Sequence, residues 1–311
     1  MILQSQGLSA MRENPIGSTS PTTGVEHYRS DSLSLAYRRV GLPQQAAVEP
    51  QAKTPLVFIH GLSYFSYDWA SFGERLCTDR PGCAMDMRGF GDSDLSPDGD
   101  YSVSSMAQDI GRLLDHLGWR QAVLVAHSMG GRSATCFTAR HPDRVQGLVL
   151  VDWSPENAPA GSRRVAQTVA NAPDVFTTVD EGMRYFGADP HSPDGADRRA
   201  RFEAYLRAVP GGFAIKRDSF FKKQFQRQLE TGQPPKRDVD LWQLLGDVAV
   251  PTLVLRASRS DLFAPETLPK VLARNPRIRA LEIEAGHHIV GDNPGVASAA
   301  IRSFIHSLEA A

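Results

Sequence analysis

The sequence AVLVAHSMGG, at residues 122–131, decides how the rest of this chain is interpreted. An apolar run leads into Ser128, and residues 132–140 have a composition typical of a helix. A strand, a sharp turn and a helix in this order present the serine at the end of the strand. The turn strains the serine backbone, so the residues two before and two after it must be small, as Ala126 and Gly130 are. The stretch predicts a nucleophile elbow, although Ser-x-Gly after a small residue also occurs by chance in ordinary turns.

Chemistry at Ser128 needs partners elsewhere in the chain. A serine hydroxyl is a poor nucleophile at neutral pH, so it requires a nearby base, a group that orients the base, and donors for the oxyanion that forms. Candidates for these roles occur upstream and downstream of the turn. The motifs that contain them, or that accompany them, are FIHGL at 58–62, DMRGFGDS at 86–93, SD at 260–261 and AGH at 285–287.

Together with the serine turn, these motifs resemble the α/β-hydrolase family, and the resemblance covers the chain from about residue 30 to its end. The order Ser, Asp, His along the chain is the order that this family uses. The resemblance implies an α/β fold with a mostly parallel sheet flanked by helices. It also implies a helical cap inserted after the sixth strand.

The hydrophobic pattern divides the chain in a way that fits this fold. Residues 1–30 are rich in Ser, Thr, Gly, Pro and Gln and predict a flexible N-terminal extension. Residues 31–152 and 247–311 form the predicted core, because apolar runs there alternate with helical patterns. Residues 153–246 hold helical stretches and many aromatics but no strong strand candidate, so we predict the cap there.

Two helical faces are evident within the core. One apolar stripe comprises Met106, Ile110, Leu113, Leu114 and Leu117, and the last helix presents Val296, Ala300, Phe304, Ile305 and Leu308. In the cap, we expect most aromatic side chains to pack the cap onto the core rather than bind a ligand. Eleven Lys or Arg residues against three acids between Arg198 and Arg237 fit a solvated surface better than an anion-binding site, which stays the alternative.

Ser128 is the predicted nucleophile and His287 the predicted base. The base takes the serine proton and returns it to the leaving group. His288 is a competitor, but the Gly-His pattern of the family favours His287, and neighbouring side chains diverge so that only one of them faces Ser128.

The acid that orients the base has two candidates. We prefer Asp261, because the loop after the strand at 252–255 ends at the same edge of the sheet as Ser128. Its ordinary alternative is a turn or helix cap before Pro265. Asp152, which ends the strand at 145–151, is the alternative acid, since some members of the family place the acid there.

For the oxyanion, the sequence predicts two backbone N–H donors, those of Leu62 and Met129. We expect His60 and His127 to be structural residues near the site rather than bases. The Asp86 to Ser93 loop has neither the glycine spacing nor the lysine of a nucleotide cradle. The resemblance instead implies that turns and an arginine–carboxylate contact fix the sheet edge there.

Composition and charge narrow the possible partners and location of the protein. The chain has 311 residues, 34 basic and 35 acidic, with a net charge of −1, which gives no reason to expect a nucleic-acid partner. The N-terminus lacks the pattern of a signal peptide, and no apolar run is long enough to cross a bilayer, so we expect a cytoplasmic protein without a membrane partner. The three cysteines have no CxxC spacing, so we expect reduced thiols and no metal site.

The predicted function is that of a cofactor-independent serine hydrolase with a small-molecule substrate. A carboxylic ester or lactone of a small apolar molecule is preferred, with carbon–carbon bond hydrolysis or thioester hydrolysis as alternatives on the same triad. A non-catalytic ligand-binding protein of the same fold is the other alternative. Haloalkane or epoxide hydrolysis is disfavoured because it uses an aspartate at the position of Ser128.

Overall fold

The structure, a computed structural model, describes residues 2–3, 24–41 and 53–310. The strands are β1 (Ile2–Leu3), β2 (Val25–Ser30), β3 (Leu33–Gly41), β4 (Leu56–Ile59), β5 (Pro81–Met85), β6 (Ala122–His127), β7 (Val145–Val151), β8 (Leu206–Val209), β9 (Gly212–Ile215), β10 (Thr252–Ala257) and β11 (Ile278–Ile283). The α-helices are α1 (Ala70–Leu76), α2 (Val103–His116), α3 (Gly130–Arg140), α4 (Pro159–Ala170), α5 (Val179–Tyr185), α6 (Gly195–Tyr205), α7 (Ser219–Thr231), α8 (Leu241–Asp247), α9 (Thr267–Arg274), α10 (Ile289–Asp292) and α11 (Pro294–Glu309).

Nine of the described strands form one sheet in the order β1-β11-β10-β7-β6-β4-β5-β3-β2. Every pairing from β1 to β5 in this order is parallel, and β3 pairs antiparallel with both β5 and β2. The sequence prediction of a mostly parallel α/β-hydrolase sheet is therefore confirmed. Counted from β2, the strand β7 is the sixth, and the chain between β7 and β10 is the insertion.

Strand β6 shows why this sheet is covered on both faces. Ala122, Leu124 and Ala126 point into the cluster that contains the inner faces of α2 and α3. Val123 and Val125 point into the opposite cluster, formed with α1 and α11. All five side chains are fully buried, so alternate residues of one apolar strand build two cores.

The two helical faces predicted from the sequence are confirmed. The α2 stripe is buried from Met106 to Leu117 against the sheet, and α2 begins at Ser102, whose side chain accepts a hydrogen bond from the Ser105 N–H. In α11, Phe304 and Ile305 are buried and the remaining predicted residues pack against the same cluster.

Strand β2 lies within residues 1–30, for which the sequence predicted a flexible extension. Residues 1 and 4–23 of that extension lie outside the described part of the chain. Tyr28 and Ser30 are buried on one face of β2, and both hydroxyls donate to Asp109 on α2, at 3.2 and 2.6 Å. Polar residues dominate β2, so its alternation lacks the apolar signal on which the prediction relied. Strand β2 pairs antiparallel with β3 and forms the edge of the sheet on that side.

The insertion contains more than helices. Strands β8 and β9 form an antiparallel hairpin around Pro210 and Gly211, whose φ of 88° suits glycine. Helix α8 also lies in the segment predicted as the cap, yet Leu245 is fully buried in the core cluster beside α3. Helices α4 to α7 and the hairpin thus cover the sheet edge, while α8 belongs by its packing to the core.

Backbone hydrogen bonds join the insertion to the loop that follows β5. The Gly91 N–H donates to the Lys216 carbonyl at 2.9 Å, and the Asp218 N–H donates to the Gly89 carbonyl at 2.8 Å. On another side, Arg201 of α6 donates to Asp68. Along the described ranges of the chain, none of the helices has the length and apolar character needed to span a bilayer.

Candidate active site

Ser128 occupies the tight turn between β6 and α3 with a backbone φ of 50°. A positive φ strains a residue that has a Cβ, and the Ser128 N–H donates to the Val151 carbonyl at 3.0 Å, which ties the turn to β7. Gly130 is required because a Cβ there would lie 2.5 Å from the His60 carbonyl oxygen. This close packing holds the Ser128 hydroxyl at the carboxyl end of the parallel strands.

The structure brings His287 to Ser128, as the sequence predicted. His287 Nε2 lies 2.9 Å from Ser128 Oγ, and His287 Nδ1 lies 2.6 Å from Asp152 Oδ2. Because a carboxylate only accepts, Nδ1 carries the hydrogen and Nε2 presents its lone pair to the serine hydroxyl. The competing residue His288 packs its ring on Tyr64 instead, with ring centres 4.9 Å apart.

The preference for Asp261 as the orienting acid is wrong, and the alternative, Asp152, occupies that position. Asp152 is fully buried, and its φ of 44° turns the carboxylate toward the histidine. Its Oδ1 accepts the Ala257 N–H at 2.9 Å, and its Oδ2 accepts the Ser260 hydroxyl at 2.5 Å in addition to His287. Three donors therefore hold this carboxylate in one orientation.

Asp261 faces the insertion instead. Its carboxylate accepts two hydrogen bonds from the Arg164 guanidinium on α4, and these bonds hold the pKa of Asp261 below its usual range. Both side chains are exposed, Arg164 by 54% and Asp261 by 39%. The preceding residue, Ser260, is the one that turns inward to the site.

His127 contacts His287 without contacting the Ser128 hydroxyl. Its Nε2 donates to the His287 carbonyl at 2.9 Å, and the two rings are 4.7 Å apart. Burial, with a further contribution from His287, lowers the pKa of His127 well below the ordinary value. The ring is therefore neutral and acts as a fixed donor, in line with the structural role expected from the sequence.

His60 has a structural role as well. Its Nδ1 donates to the Gly61 carbonyl at 2.8 Å, and its Nε2 accepts the Met87 N–H at 3.0 Å. The ring is fully buried, and burial lowers its pKa. Both nitrogens are used by the backbone, so His60 shapes the loop that carries Leu62.

The two predicted oxyanion donors face the same cavity as Ser128. Leu62 and Met129 line this cavity, and neither backbone N–H has an acceptor among the residues that the structure describes. Gly61 allows the approach of the two segments, because a Cβ there would lie 3.0 Å from the Ser128 Cβ. Two free donors beside a nucleophile are the arrangement that stabilises an oxyanion.

The 86–93 loop fixes the adjacent sheet edge, as expected. Arg88 binds the Asp109 carboxylate through two hydrogen bonds of 2.7 and 2.8 Å. Asp86 is buried, which raises its pKa, and it accepts the N–H groups of Ser66 and Asp92 at 2.6 and 3.0 Å. These contacts fix the loop and the sheet edge beside it.

A cavity of about 910 Å³ lies between the sheet edge and the insertion. Tyr185, Phe186, Phe202 and Phe221 reach its wall, whereas Phe176 and Tyr205 are buried in the separate core of the insertion. The expectation that most aromatic side chains of the insertion pack rather than line the cavity holds, because more than half of them do not reach its wall. Within the described ranges, no three His, Cys, Asp or Glu side chains are grouped to hold a metal ion.

Comparison with known proteins identifies the family. A family model of the alpha/beta hydrolase fold matches residues 54–294, so the chain belongs to the α/β-hydrolase family. The chain is 28% identical to 2-(acetamidomethylene)succinate hydrolase from Mesorhizobium japonicum over 252 residues, which cover 80% of this chain and 87% of that protein. It is 40% identical over 147 residues to the mouse sn-1-specific diacylglycerol lipase ABHD11, covering 46% of this chain and 45% of the lipase.

The structure search agrees with the sequence search. The crystal structure of E-2-(acetamidomethylene)succinate hydrolase superposes with a TM-score of 0.75 at 25% identity, covering 91% of this chain and 99% of that one. A thioesterase domain from the curacin biosynthetic pathway superposes at 0.68 with 19% identity, covering 91% and 98%, and shows the shared fold alone.

Sequence reasoning missed the contacts that complete the site. Nothing in the sequence indicated that Ser260 donates to Asp152, apart from the place of Ser260 after β10. The position of Asp152 at the end of β7 was the available signal, and it identified the residue only as an alternative. The hairpin was missed as well, although the Pro210-Gly211 dipeptide was an available signal, since such dipeptides mark tight turns.

Proposed function

We propose that this chain is a cofactor-independent serine hydrolase that cleaves a carboxylic ester or lactone of a small molecule through an acyl-enzyme. The observation that carries the proposal is the continuous line of contacts from Asp152 through His287 to Ser128, beside two free backbone N–H groups. Membership of a hydrolase family supports the same class.

The geometry supports the following steps. His287 Nε2 accepts the Ser128 proton as Oγ attacks the carbonyl carbon, and Asp152 stabilises the imidazolium that forms. The Leu62 and Met129 N–H groups donate to the oxyanion, a contribution of about 3 kcal/mol for each such donor in comparable sites. The protonated His287 then donates to the leaving group, and water repeats the sequence to release the acid.

The alternatives use the same three side chains. Thioester or carbon–carbon bond hydrolysis would need a different fit in the cavity and no different triad. A non-catalytic binder would not require the base, the acid and the free N–H groups to be aligned on one serine. We therefore place a serine hydrolase before a non-catalytic binder and keep an ester or lactone as the preferred substrate.

Fluorophosphonate labelling tests the proposal. The probe should label the wild-type protein once, at Ser128 by mass spectrometry, and should not label Ser128→Ala. Ser162→Ala is the matched control, because Ser162 lines the same cavity without a histidine partner among the described residues, and it should be labelled like the wild type. Stoichiometric labelling of folded Ser128→Ala would refute the assignment, as would turnover of 4-nitrophenyl acetate that survives this substitution.

A further inference from the structure

The cavity wall carries positive charge that the protein itself does not neutralise. Away from the triad, each carboxylate that lines the cavity already has a partner. Asp68 and Asp194 pair with Arg201 and Arg198, and Asp238 and Asp292 accept backbone N–H groups.

Two arginines of the cavity wall have no partner of this kind. Neither the Arg132 guanidinium nor that of Arg237 has a hydrogen-bond or ion-pair partner in the part of the chain that the structure describes. By contrast Arg164, Arg198 and Arg201, which also line the cavity, are all paired with carboxylates.

The two unpaired arginines come from different parts of the chain and are close enough to repel each other. Arg132 lies in the first turn of α3, four residues after the nucleophile, and lines a recess that Ser128 and His287 also line. Arg237 lies in the insertion between α7 and α8. Arg132 therefore belongs to the core beside Ser128 and His287, and Arg237 to the insertion, next to Asp238, which accepts the N–H groups of Val103 and Ser104.

Arg132 is half-buried and has no counter-charge among the described residues. Its partial removal from water, together with repulsion from Arg237, lowers the pKa of Arg132 to about 9. The side chain still carries its charge at neutral pH, since that value lies above 7. A charged group shielded from water is stabilised only when it is paired, and a bound anion would supply the pair.

We propose that Arg132 and Arg237 bind an anionic group of the substrate, a carboxylate or a phosphate, and so place its scissile carbonyl at Ser128. The planar guanidinium fork suits the two or more oxygens of such a group. This inference rests on the function proposed above. It narrows the substrate to a molecule that has an anionic substituent as well as an apolar part for the aromatic wall.

Paired substrates test the proposal. The value of kcat/KM is measured for 4-nitrophenyl hydrogen succinate and for its neutral methyl ester, which differ in one negative charge. The wild type should prefer the anionic ester by at least about tenfold, and Arg132→Gln should reduce that preference by about tenfold, as expected for a hydrogen bond between charged groups. Arg237→Gln should reduce it a few-fold, since Arg237 is exposed.

Control variants separate a specific site from general charge. Arg207→Gln removes an exposed cation of β8 that does not line the cavity, and it should keep the preference. Arg132→Lys keeps the charge without the fork and should recover part of the preference lost in Arg132→Gln. Equal kcat/KM for the two esters in the wild type, or an unchanged ratio in folded Arg132→Gln, overturns the anion site.

Calorimetry with succinate and with inorganic phosphate keeps the test independent of turnover. Binding of either anion that Arg132→Gln weakens by about tenfold supports the site and shows which anion it prefers. Absence of binding by both overturns it. If Ser128 is neither labelled nor needed for turnover while such binding is seen, the proposed hydrolase function fails and the anion site stands.

Discussion

Replacing Asp152 by asparagine should abolish most of the activity while the fold is kept. Oδ1 accepts the Ala257 N–H, so asparagine must keep its carbonyl oxygen there and turn its NH₂ group toward His287 Nδ1. Nδ1 then has to accept, and the ring proton moves to Nε2. In that tautomer Nε2 has no lone pair for the Ser128 proton.

The magnitude follows from the role of the tautomer. The equivalent change in a serine protease lowers kcat by about 10⁴-fold, or roughly 5 kcal/mol of transition-state stabilisation. The Ser260 hydroxyl also loses its acceptor, with a cost to stability of about 1–3 kcal/mol. Asp261→Asn is the matched control, since its exposed pair with Arg164 contributes no more than about 1 kcal/mol.

The assay is kcat/KM for 4-nitrophenyl acetate, with thermal unfolding followed by circular dichroism on the same samples. Asp152→Asn should melt cooperatively with only traces of activity, and Asp261→Asn should stay within a few-fold of the wild type. The reasoning is refuted if Asp261→Asn loses more activity than Asp152→Asn, or if Asp152→Asn retains a tenth of the wild-type rate.

Two further predictions concern the fold around the site. Gly130→Ala should lower the free energy of unfolding by about 1–3 kcal/mol in urea titrations, because the added methyl group meets a backbone carbonyl that cannot move aside. Gly295→Ala is the control, since no atom lies within 4 Å of its Cβ position, and equal loss in both would contradict this account. The cysteine thiols should react with Ellman's reagent only after unfolding, because burial raises the pKa of Cys77 to about 12 and raises those of Cys83 and Cys136 as well. Rapid reaction of the native protein would show that these side chains are not buried.

The strand and turn around Ser128 were predictable because they depend on local chemistry. Apolar residues along β6 and small residues at the elbow leave few alternatives, and Gly286 before His287 marks the base within the family pattern. The periodicity of α2 and α11 was equally informative, since each helix has one apolar face.

The acid was not predictable from local chemistry. Asp152 and Asp261 both follow parallel strands that end at the same edge of the sheet, so composition and position treat them alike. The choice depends on the left-handed backbone of Asp152 and on the inward turn of Ser260, which the packing of β7 against β10 sets. Strand β2 was missed for a related reason, because its burial depends on Asp109, more than seventy residues away.

The place of Asp152 before the insertion determines which parts of the molecule can change without disturbing the site. Ser128, His287 and Asp152 all follow strands of the sheet, and the chain leaves the sheet for the insertion directly after Asp152. Helices α4 to α7 and the hairpin, residues 159–231, can therefore be exchanged or reshaped without moving these three side chains, whereas Trp153 and α8 pack in the core. Under the proposed function, one continuous segment would set the substrate selectivity, and the sheet beneath it would carry the reacting groups.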